Sequence, residues 1–596
     1  MRNLFLASAL LCATAFADID WTKSITDGVT NIDNFPDLLD ADLDAINAGL
    51  STSLFTSVDL VQAYLARIQE VQDALHIVNE INPDALQIAA ERDAQRLNGT
   101  ILGPLHGIPI LLKDNIATYD SMNNTAGSYV LLGTKVPRDS TVAAKLREAG
   151  AILLGKANLS QWMQFRSANT TSGWSAYGGQ CKGAYVEDQE PNGSSSGSAV
   201  ATSLGLAFAA LGTETLGSLV FPAEVNNVVA IKPTVGLTSR YLVVPISERQ
   251  DTIGPIARTV KDAATVLQSI AGIDPRDNYT SAIPNDGAIP DYVAACREDS
   301  LSGVRIGVPY NVIALYSESL EPSLLSAFDN AVEQIKAAGA TIVDANFTAF
   351  EDFQYDQNNS LVLQGDFASG LSGYLAELTN TPTLKNLSDV RNQTQSNSAE
   401  DYPDRDTLIW DVIIASKANN TSPEFWQAYQ DSLVYGDEGG VLGALRRSNA
   451  SAILLPTQFS AALPAIVGSP IVTVPMGAYD NSTVKVMNER GNLVRTASGV
   501  PFGLAFLGDL WSEADLIGYA YAYEQRTKNR EKLKPLIFPK TSLADVKENA
   551  TTQSSDETSN GTTSTGHAIN VQPPLLNTIV LGALIGAFMI EYFRPF

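Results

Sequence analysis

The chain has 596 residues, of which 45% are hydrophobic and 17% charged, so it is long and apolar enough to form a large packed core. Lys and Arg number 39 against 65 Asp and Glu, and the resulting net charge of −26 argues against a nucleic-acid partner. Three cysteines exclude a disulfide-rich scaffold, and three widely spaced histidines (His76, His106 and His567) make a histidine metal cluster a poor hypothesis. The composition therefore predicts a globular protein and disfavours a metalloenzyme.

The first predicted element is a secretory signal peptide over residues 1–17. Arg2 precedes an apolar run that ends in Ala15-Phe16-Ala17, the small-x-small pattern of a cleavage site. Removal of the signal peptide would leave Cys181 and Cys296 as the cysteines of the mature chain, and these two could form one disulfide or stay free. Many N-x-S/T sequons are compatible with a glycosylating secretory pathway, although the tripeptide is common by chance. Examples begin at Asn98, Asn278, Asn346, Asn386, Asn449 and Asn481.

Residues 18–540 are predicted to form one domain, because no Gly/Pro/Ser-rich linker and no fixed-period repeat divides them. An amphipathic helix, a glycine stop and an aliphatic strand follow one another over residues 140–154 and again over 324–343. Further strands are predicted at 304–308, 452–455 and 471–474. Helices that alternate with nearly all-apolar strands predict an α/β fold with a sheet covered on both faces. Residues 345–440, polar with scattered aromatic residues, are predicted to form a helical excursion from the sheet.

The end of the chain is predicted to lie outside the domain. Residues 541–573 are rich in Ser, Thr and Asn and have almost no large apolar side chain, which favours a solvated stalk. Residues 574–596 contain an apolar run, and small residues at 559–561 followed by a polar spacer fit an attachment signal for a GPI lipid anchor. The alternatives are a short single-pass membrane helix and a buried terminal helix. The anchor signal and the single-pass helix both predict a secreted protein held at the outer cell surface.

The candidate catalytic residues are serines and a lysine. The segment Gly193–Gly197 matches the G-x-S-x-G nucleophile elbow, but a Ser-Asp-His hydrolase needs a later histidine, and His567 lies in the predicted stalk. Ser195 is therefore not favoured as a nucleophile. Lys113 ends an apolar run, where desolvation disfavours the ammonium form and favours a role as general base for a serine. Taken alone, Lys113 also fits a structural cation paired with Asp114, and the serine-rich segment also fits an ordinary loop.

Three segments together resemble the Ser-Ser-Lys site of the amidase signature hydrolases. Lys113 lies in G-I-P-I-L-L-K-D, Ser194 in G-S-S-S-G-S-A and Ser218 in G-T-E-T-L-G-S. Further blocks in the same order extend the resemblance over about residues 50–535, and S-G-W-S-A and Q-D-T-I-G-P are most similar to the peptide-amidase-like branch. The fold that the resemblance implies is a single large α/β domain with a mixed twisted sheet packed between helices.

The resemblance implies a mechanism with no cofactor. Ser218 attacks an amide carbonyl while neutral Lys113 takes its proton through the hydroxyl of Ser194, and water then hydrolyses the acyl-enzyme. The Gly193–Ser194 peptide bond is expected to be cis, as in the family. The expected oxyanion hole consists of the backbone N–H groups of Thr215, Leu216, Gly217 and Ser218.

The sequence departs from the family pattern at Leu216, where Gly or Asp is usual, and at Gln161, Asn192 and residues 182–184. The departures at Gln161, Asn192 and residues 182–184 affect the expected substrate more than the catalytic residues, whereas the bulk of Leu216 is an argument for impaired catalysis. We expect a secreted or surface amidase for small amides or peptide C-terminal amides. Two alternatives stay open, an esterase or N-acyl lipid amide hydrolase with the same three residues, and a catalytically impaired cell-surface glycoprotein. A protein that transamidates charged transfer RNA is disfavoured by the export signal and the acidic composition.

Overall fold

The structure is a computed structural model that describes residues 35–547, apart from residues 168, 318, 319 and 382. The predicted signal peptide at 1–17, the stalk beyond residue 547 and the apolar tail at 574–596 lie outside the described residues. Within the described part, no helix has the length and apolar character needed to cross a membrane.

A large mixed sheet forms the centre of the fold, with two small two-stranded sheets beside it. The strands are β1 (Val78–Ile81), β2 (Pro109–Lys113), β3 (Ile152–Ala157), β4 (Trp174–Ser175), β5 (Gly179–Gln180), β6 (Ala209–Glu214), β7 (Val229–Lys232), β8 (Thr252–Ala257), β9 (Arg305–Val308), β10 (Thr341–Asp344), β11 (Ala452–Pro456), β12 (Ile471–Ala478), β13 (Val486–Met487), β14 (Val494–Thr496) and β15 (Pro501–Leu507). Eleven of them pair in the order β1-β3-β2-β6-β8-β7-β12-β15-β11-β9-β10.

The sheet combines parallel and antiparallel pairs. Strand β2 runs parallel to β3 and β6, whereas β8 runs antiparallel to β6 and β7. Every residue of β2, β3, β6, β7, β8, β11 and β15 is buried. Because alternate side chains of a strand point to opposite faces, both faces of the sheet are covered. The predicted α/β fold class is therefore confirmed.

The helices pack around this sheet. They are α1 (Leu43–Ser51), α2 (Ser57–Leu75), α3 (Ala85–Leu97), α4 (Thr141–Glu148), α5 (Ser196–Ser203), α6 (Val220–Val225), α7 (Val260–Ile270), α8 (Pro284–Gly287), α9 (Tyr310–Tyr316), α10 (Pro322–Ala337), α11 (Phe350–Phe353), α12 (Asn358–Glu377), α13 (Leu387–Ser396), α14 (Leu408–Ser416), α15 (Pro423–Gly436), α16 (Val441–Ser448), α17 (Ala462–Val467) and α18 (Glu513–Thr527). The repeated helix–strand units become α4–β3 and α10–β10, and the predicted excursion at 345–440 contains helices α11–α15.

Two sequence-based expectations change. The chain keeps its contact with the domain beyond residue 540: the Leu543 side chain is fully buried, and the Arg67 guanidinium donates to the Thr541 carbonyl at 2.7 Å. Apolar residues such as Leu543 break the polar composition at the start of the predicted stalk, so the domain extends to at least residue 547. The cysteines Cys181 and Cys296 are both free, so the disulfide alternative is wrong.

Candidate active site

Lys113 lies at the carboxyl end of β2, between strands β3 and β6, and its side chain is fully buried. Its Nζ donates to the hydroxyl of Ser194 at 2.7 Å, to the hydroxyl of Ser195 at 3.0 Å and to the Thr213 carbonyl at 3.1 Å. The alternative of a Lys113–Asp114 ion pair is wrong. Successive side chains leave a strand on opposite faces, and the Asp114 carboxylate accepts hydrogen bonds from Thr125 and Asn79 instead.

The serine-rich segment is a tight loop that leads into α5. The Gly193–Ser194 peptide bond is cis, as expected from the resemblance. The Ser194 carbonyl accepts the N–H of Ser160 at 3.0 Å, so the loop is tied to the chain that follows β3. Ser195 is fully buried, and its hydroxyl donates to the Thr213 carbonyl at 3.1 Å while accepting the lysine amine. The elbow motif thus marked a residue that contacts Lys113, although the chemistry proposed for that motif does not apply.

Ser218 lies in the loop between β6 and α6 and is 9% exposed. Its carbonyl accepts the N–H of Ser195 at 3.2 Å, so the two Gly-Ser turns lie side by side. Within the described residues the Ser218 hydroxyl makes no hydrogen bond to the protein, and the Ser194 hydroxyl only accepts from Lys113. The structure thus places the predicted lysine and both predicted serines in one buried region, with a direct hydrogen bond between the lysine and the first serine.

Two carboxyl groups hold the loop that carries Ser218. Glu214 Oε2 accepts the N–H groups of Leu219 at 2.7 Å and Val220 at 3.1 Å, immediately after the serine. Asp251 Oδ1 accepts the hydroxyl of Thr215 at 2.6 Å. Sequence reasoning did not find either carboxyl as a site residue. Glu214 was visible as the third residue of the G-T-E-T-L-G-S block, and Asp251 as the second residue of Q-D-T-I-G-P.

The predicted oxyanion donors differ in their surroundings. The N–H groups of Thr215, Leu216 and Ser218 donate no hydrogen bond to the described protein. The N–H of Gly217 faces the Glu214 carboxyl and lowers its pKa against the larger effect of desolvation, which raises it. The Leu216 side chain packs against an apolar cluster that includes Val220. Its bulk is therefore taken up by packing, which weakens the argument for impaired catalysis.

Electrostatics favour a neutral lysine at this position. Burial lowers the pKa of Lys113 well below its ordinary value, and the carboxyls of Glu214 and Asp251 oppose this shift without making contact. Desolvation raises the pKa of Asp251 to about 6, although Thr215 and two backbone N–H groups stabilise its charged form. An amine with this environment can accept a proton near neutral pH, because water does not stabilise its ammonium form.

Next to the site, the 3-10 segment Gln161–Gln164 is bound to the helical excursion through a buried ion pair. Arg166 donates to Glu400 at 3.0 Å, and neither side chain is exposed. Gln161, which departs from the family pattern, donates to the same carboxylate and accepts from Arg166 at 2.7 Å. The excursion therefore covers this side of the serine loop. Among residues 35–547, no group of three or more His, Cys, Asp or Glu side chains is arranged to hold a metal.

Known proteins match this chain over most of its length. The family model described as Amidase matches residues 59–517. A protein of Arthroderma benhamiae named as an amidase is 50% identical over 86% of this chain and 90% of its own length. An Arabidopsis thaliana protein that is also named as an amidase is 36% identical over 83% of this chain and 91% of its own length. The native peptide amidase of Stenotrophomonas maltophilia is 37% identical with a TM-score of 0.75, over 85% of this chain and all of that one.

These matches place the chain in a class of amide-hydrolysing enzymes that are built on one α/β domain. The chain belongs to the amidase family, and it is an amidase.

Proposed function

We propose that this amidase hydrolyses carboxylic amides, with peptide C-terminal amides as its substrate class, through Ser218, Ser194 and Lys113. The observation that carries the proposal is the hydrogen bond of 2.7 Å between the Lys113 amine and the Ser194 hydroxyl, in a fully buried position. Similarity to the peptide amidase of Stenotrophomonas maltophilia over its whole chain supports the substrate class.

The proposed steps balance protons within the three side chains. Neutral Lys113 takes the proton of Ser194 as Ser194 takes that of Ser218, and the Ser218 oxygen forms a bond to the amide carbon. The lysine proton then returns along the same path to the departing nitrogen, which leaves as ammonia, and an ester to Ser218 remains. Water repeats the sequence and releases the acid. The free N–H groups of Thr215, Leu216 and Ser218 stabilise the negative oxygen in each half, at about 2.7–4 kcal/mol for a donor of this kind.

The first test compares wild type with Ser218→Ala and Lys113→Ala on matched panels of peptide amides, aryl amides, fatty amides and esters. We expect the highest kcat/KM for a peptide amide and a loss of at least about 10³-fold in both variants, because the attacking oxygen or its base is removed. Ser218 is also expected to react with a fluorophosphonate, with no labelling in Ser218→Ala. Full activity of Ser218→Ala would contradict the proposed mechanism. A preference for fatty amides or esters would contradict the proposed substrate class.

We further propose that the protein is exported, glycosylated and held at the outer cell surface by its C-terminal tail. The sequons singled out above support this, because all six asparagines are exposed and none of their Nδ2 atoms donates a hydrogen bond to the described residues. The sequon at Asn158 differs, since its side chain is buried and donates to the His76 carbonyl at 2.9 Å.

The location is tested by expressing the full chain in a secreting fungal host. Enzymatic removal of N-glycans in heavy-oxygen water introduces heavy oxygen at each asparagine that carried a glycan. The heavy oxygen should be found among the six exposed sequons and not at Asn158. A phospholipase that cleaves GPI anchors should release the protein from the cell surface. An unglycosylated protein that stays inside the cell with residues 1–17 attached would refute export, and resistance to the phospholipase would refute the anchor.

A further inference from the structure

The loop from Thr215 to Ser218 has an anchor outside the proposed catalytic residues. Asp251 lies just before β8, which pairs with β6, the strand that leads into this loop. One carboxylate oxygen of Asp251 accepts the Thr215 hydroxyl at 2.6 Å. The other accepts the N–H groups of Ile246 at 2.7 Å and Ser247 at 3.0 Å. Asp251 thus joins the loop of the proposed nucleophile to a second loop, residues 246–251.

The second loop is itself fixed to the helical excursion. The Ser247 hydroxyl donates to Asp366 of α12 at 2.6 Å, and the Arg249 guanidinium donates to the other oxygen of the same carboxylate. Asp366 is 1% exposed, so these are buried contacts. Helix α15 closes over Arg249 with three aromatic rings, whose centroids lie 4.7, 5.0 and 5.1 Å from the guanidinium carbon. These rings belong to Phe425, Trp426 and Tyr429.

These contacts matter because the Thr215 backbone N–H is free while its side chain is held. A donor that stabilises a developing oxyanion must point at the oxygen, and the loss of one such donor costs about 10²–10³ in kcat. The hydrogen bond from the Thr215 hydroxyl to Asp251 restrains the position of the Thr215 Cα and Cβ atoms, and this limits the directions that the N–H of the same residue can take. The tether therefore restricts the movement of the donor before substrate binds.

We propose that Asp251 is a positioning residue of this amidase: through the Thr215 hydroxyl it aims the backbone donors of the Ser218 loop at the reacting carbonyl oxygen. Loop 246–251, held by Asp366 and Arg249, keeps Asp251 in place. The inference rests on the proposed function of Ser218 and adds Asp251 and the side-chain hydroxyl of Thr215, neither of which touches the bond that breaks.

The test uses Thr215→Val, which keeps the shape and removes the hydroxyl, and Thr215→Ser, which restores a hydroxyl. Thr215→Val should lower kcat on a peptide amide about 10–100-fold and change KM less than about threefold, because the aim of the donors matters in the transition state. Thr215→Ser should recover most of kcat. The matched control is Thr252→Val, at a fully buried threonine next to Asp251 whose hydroxyl has no partner in the described structure. It should retain wild-type kcat.

Asp251→Asn supplies the second half of the experiment. If Asp251 acts through Thr215, the two single substitutions break the same hydrogen bond. The kcat of the double variant Thr215→Val/Asp251→Asn should then lie within about threefold of the kcat of the slower single variant. Fluorophosphonate labelling of Ser218 should slow in parallel with kcat, and thermal unfolding confirms that each variant is folded. Equal kcat in Thr215→Val and Thr252→Val, or fully multiplicative losses in the double variant, would overturn the inference. If Ser218→Ala stays active, the proposed function itself fails.

Discussion

Three lysines within residues 35–547 are fully buried, and their partners distinguish them. Lys156 donates to the Ile116 carbonyl at 2.6 Å and to the Asn124 amide oxygen at 2.8 Å, with Asp114 favouring its charge. Lys232 donates to the Ser469 carbonyl at 2.7 Å. Burial lowers the pKa of both Lys156 and Lys232 to about 8. Lys113 alone among these three contacts hydroxyl groups. Because a hydroxyl can pass a proton and a carbonyl cannot, Lys113 alone of these three lysines is placed to exchange a proton through a serine.

The state of Lys113 predicts how activity depends on pH. Desolvation lowers the pKa of Lys113, so the amine is neutral above that pKa and becomes ammonium as the pH falls through it. Only the neutral amine accepts a proton, so kcat/KM on a peptide amide should decrease steadily on the acid side. The measurement is kcat/KM from pH 9 to pH 5, with the folded fraction followed at each pH. A flat profile in folded enzyme would contradict the role of Lys113.

At the scale of elements, local sequence patterns were sufficient where the chain is periodic. The predicted helix over Leu324 to Ile335 is part of α10, and the strands predicted at 452–455 and 471–474 are β11 and the first half of β12. In these elements the buried residues recur with the period of a helix or of a strand. The local sequence alone is therefore sufficient to predict them. Residues 199–211 are small or apolar almost throughout, a pattern that fits a buried helix and a buried strand alike. The structure divides them between α5 and β6, with a short turn between the two.

The connections between elements could not be predicted in the same way. Gln161 and Arg166 meet Glu400, more than 230 residues later in the chain, and Asp366 meets Ser247 and Arg249. No local pattern encodes such a pair, because its members meet only in the folded chain, where their hydrogen bonds and opposite charges offset the cost of burying them. The apolar run before it already indicated Lys113, and the resemblance of their segments added Ser194 and Ser218, whereas Asp251 needed the structure. The excursion was predicted as helical, but its role as an anchor for two loops of the site was not.

At the scale of the whole molecule, charge and burial act together. The net charge is −26, yet several carboxyls are buried or partly buried, and desolvation raises their pKa. The pKa is about 7 for Glu190 and Asp262, and about 8 for Glu224 and Glu524. A pKa raised in the folded state stabilises the fold at low pH, and this contribution is lost as the pH rises through the folded value. In the opposite direction, hydrogen bonds lower the pKa of Asp274 to about 2, so its contribution persists down to strongly acidic pH.

The protein should therefore unfold at a higher temperature near pH 5 than near pH 9, although its activity should be greater at the higher pH. Glu224 offers the sharpest test, because its carboxyl is buried and only backbone N–H groups, of Gly503 and Gln458, lower its pKa. Between its ordinary value of 4.5 and about 8, this one group should reduce stability by up to about 1.4 kcal/mol per pH unit. Glu224→Gln should remove that part of the slope, measured by thermal and urea unfolding from pH 5 to pH 9. Glu298→Gln, at an exposed glutamate, should leave the slope unchanged. Parallel stability curves for wild type and Glu224→Gln would mean that Glu224 stays ionised in the fold.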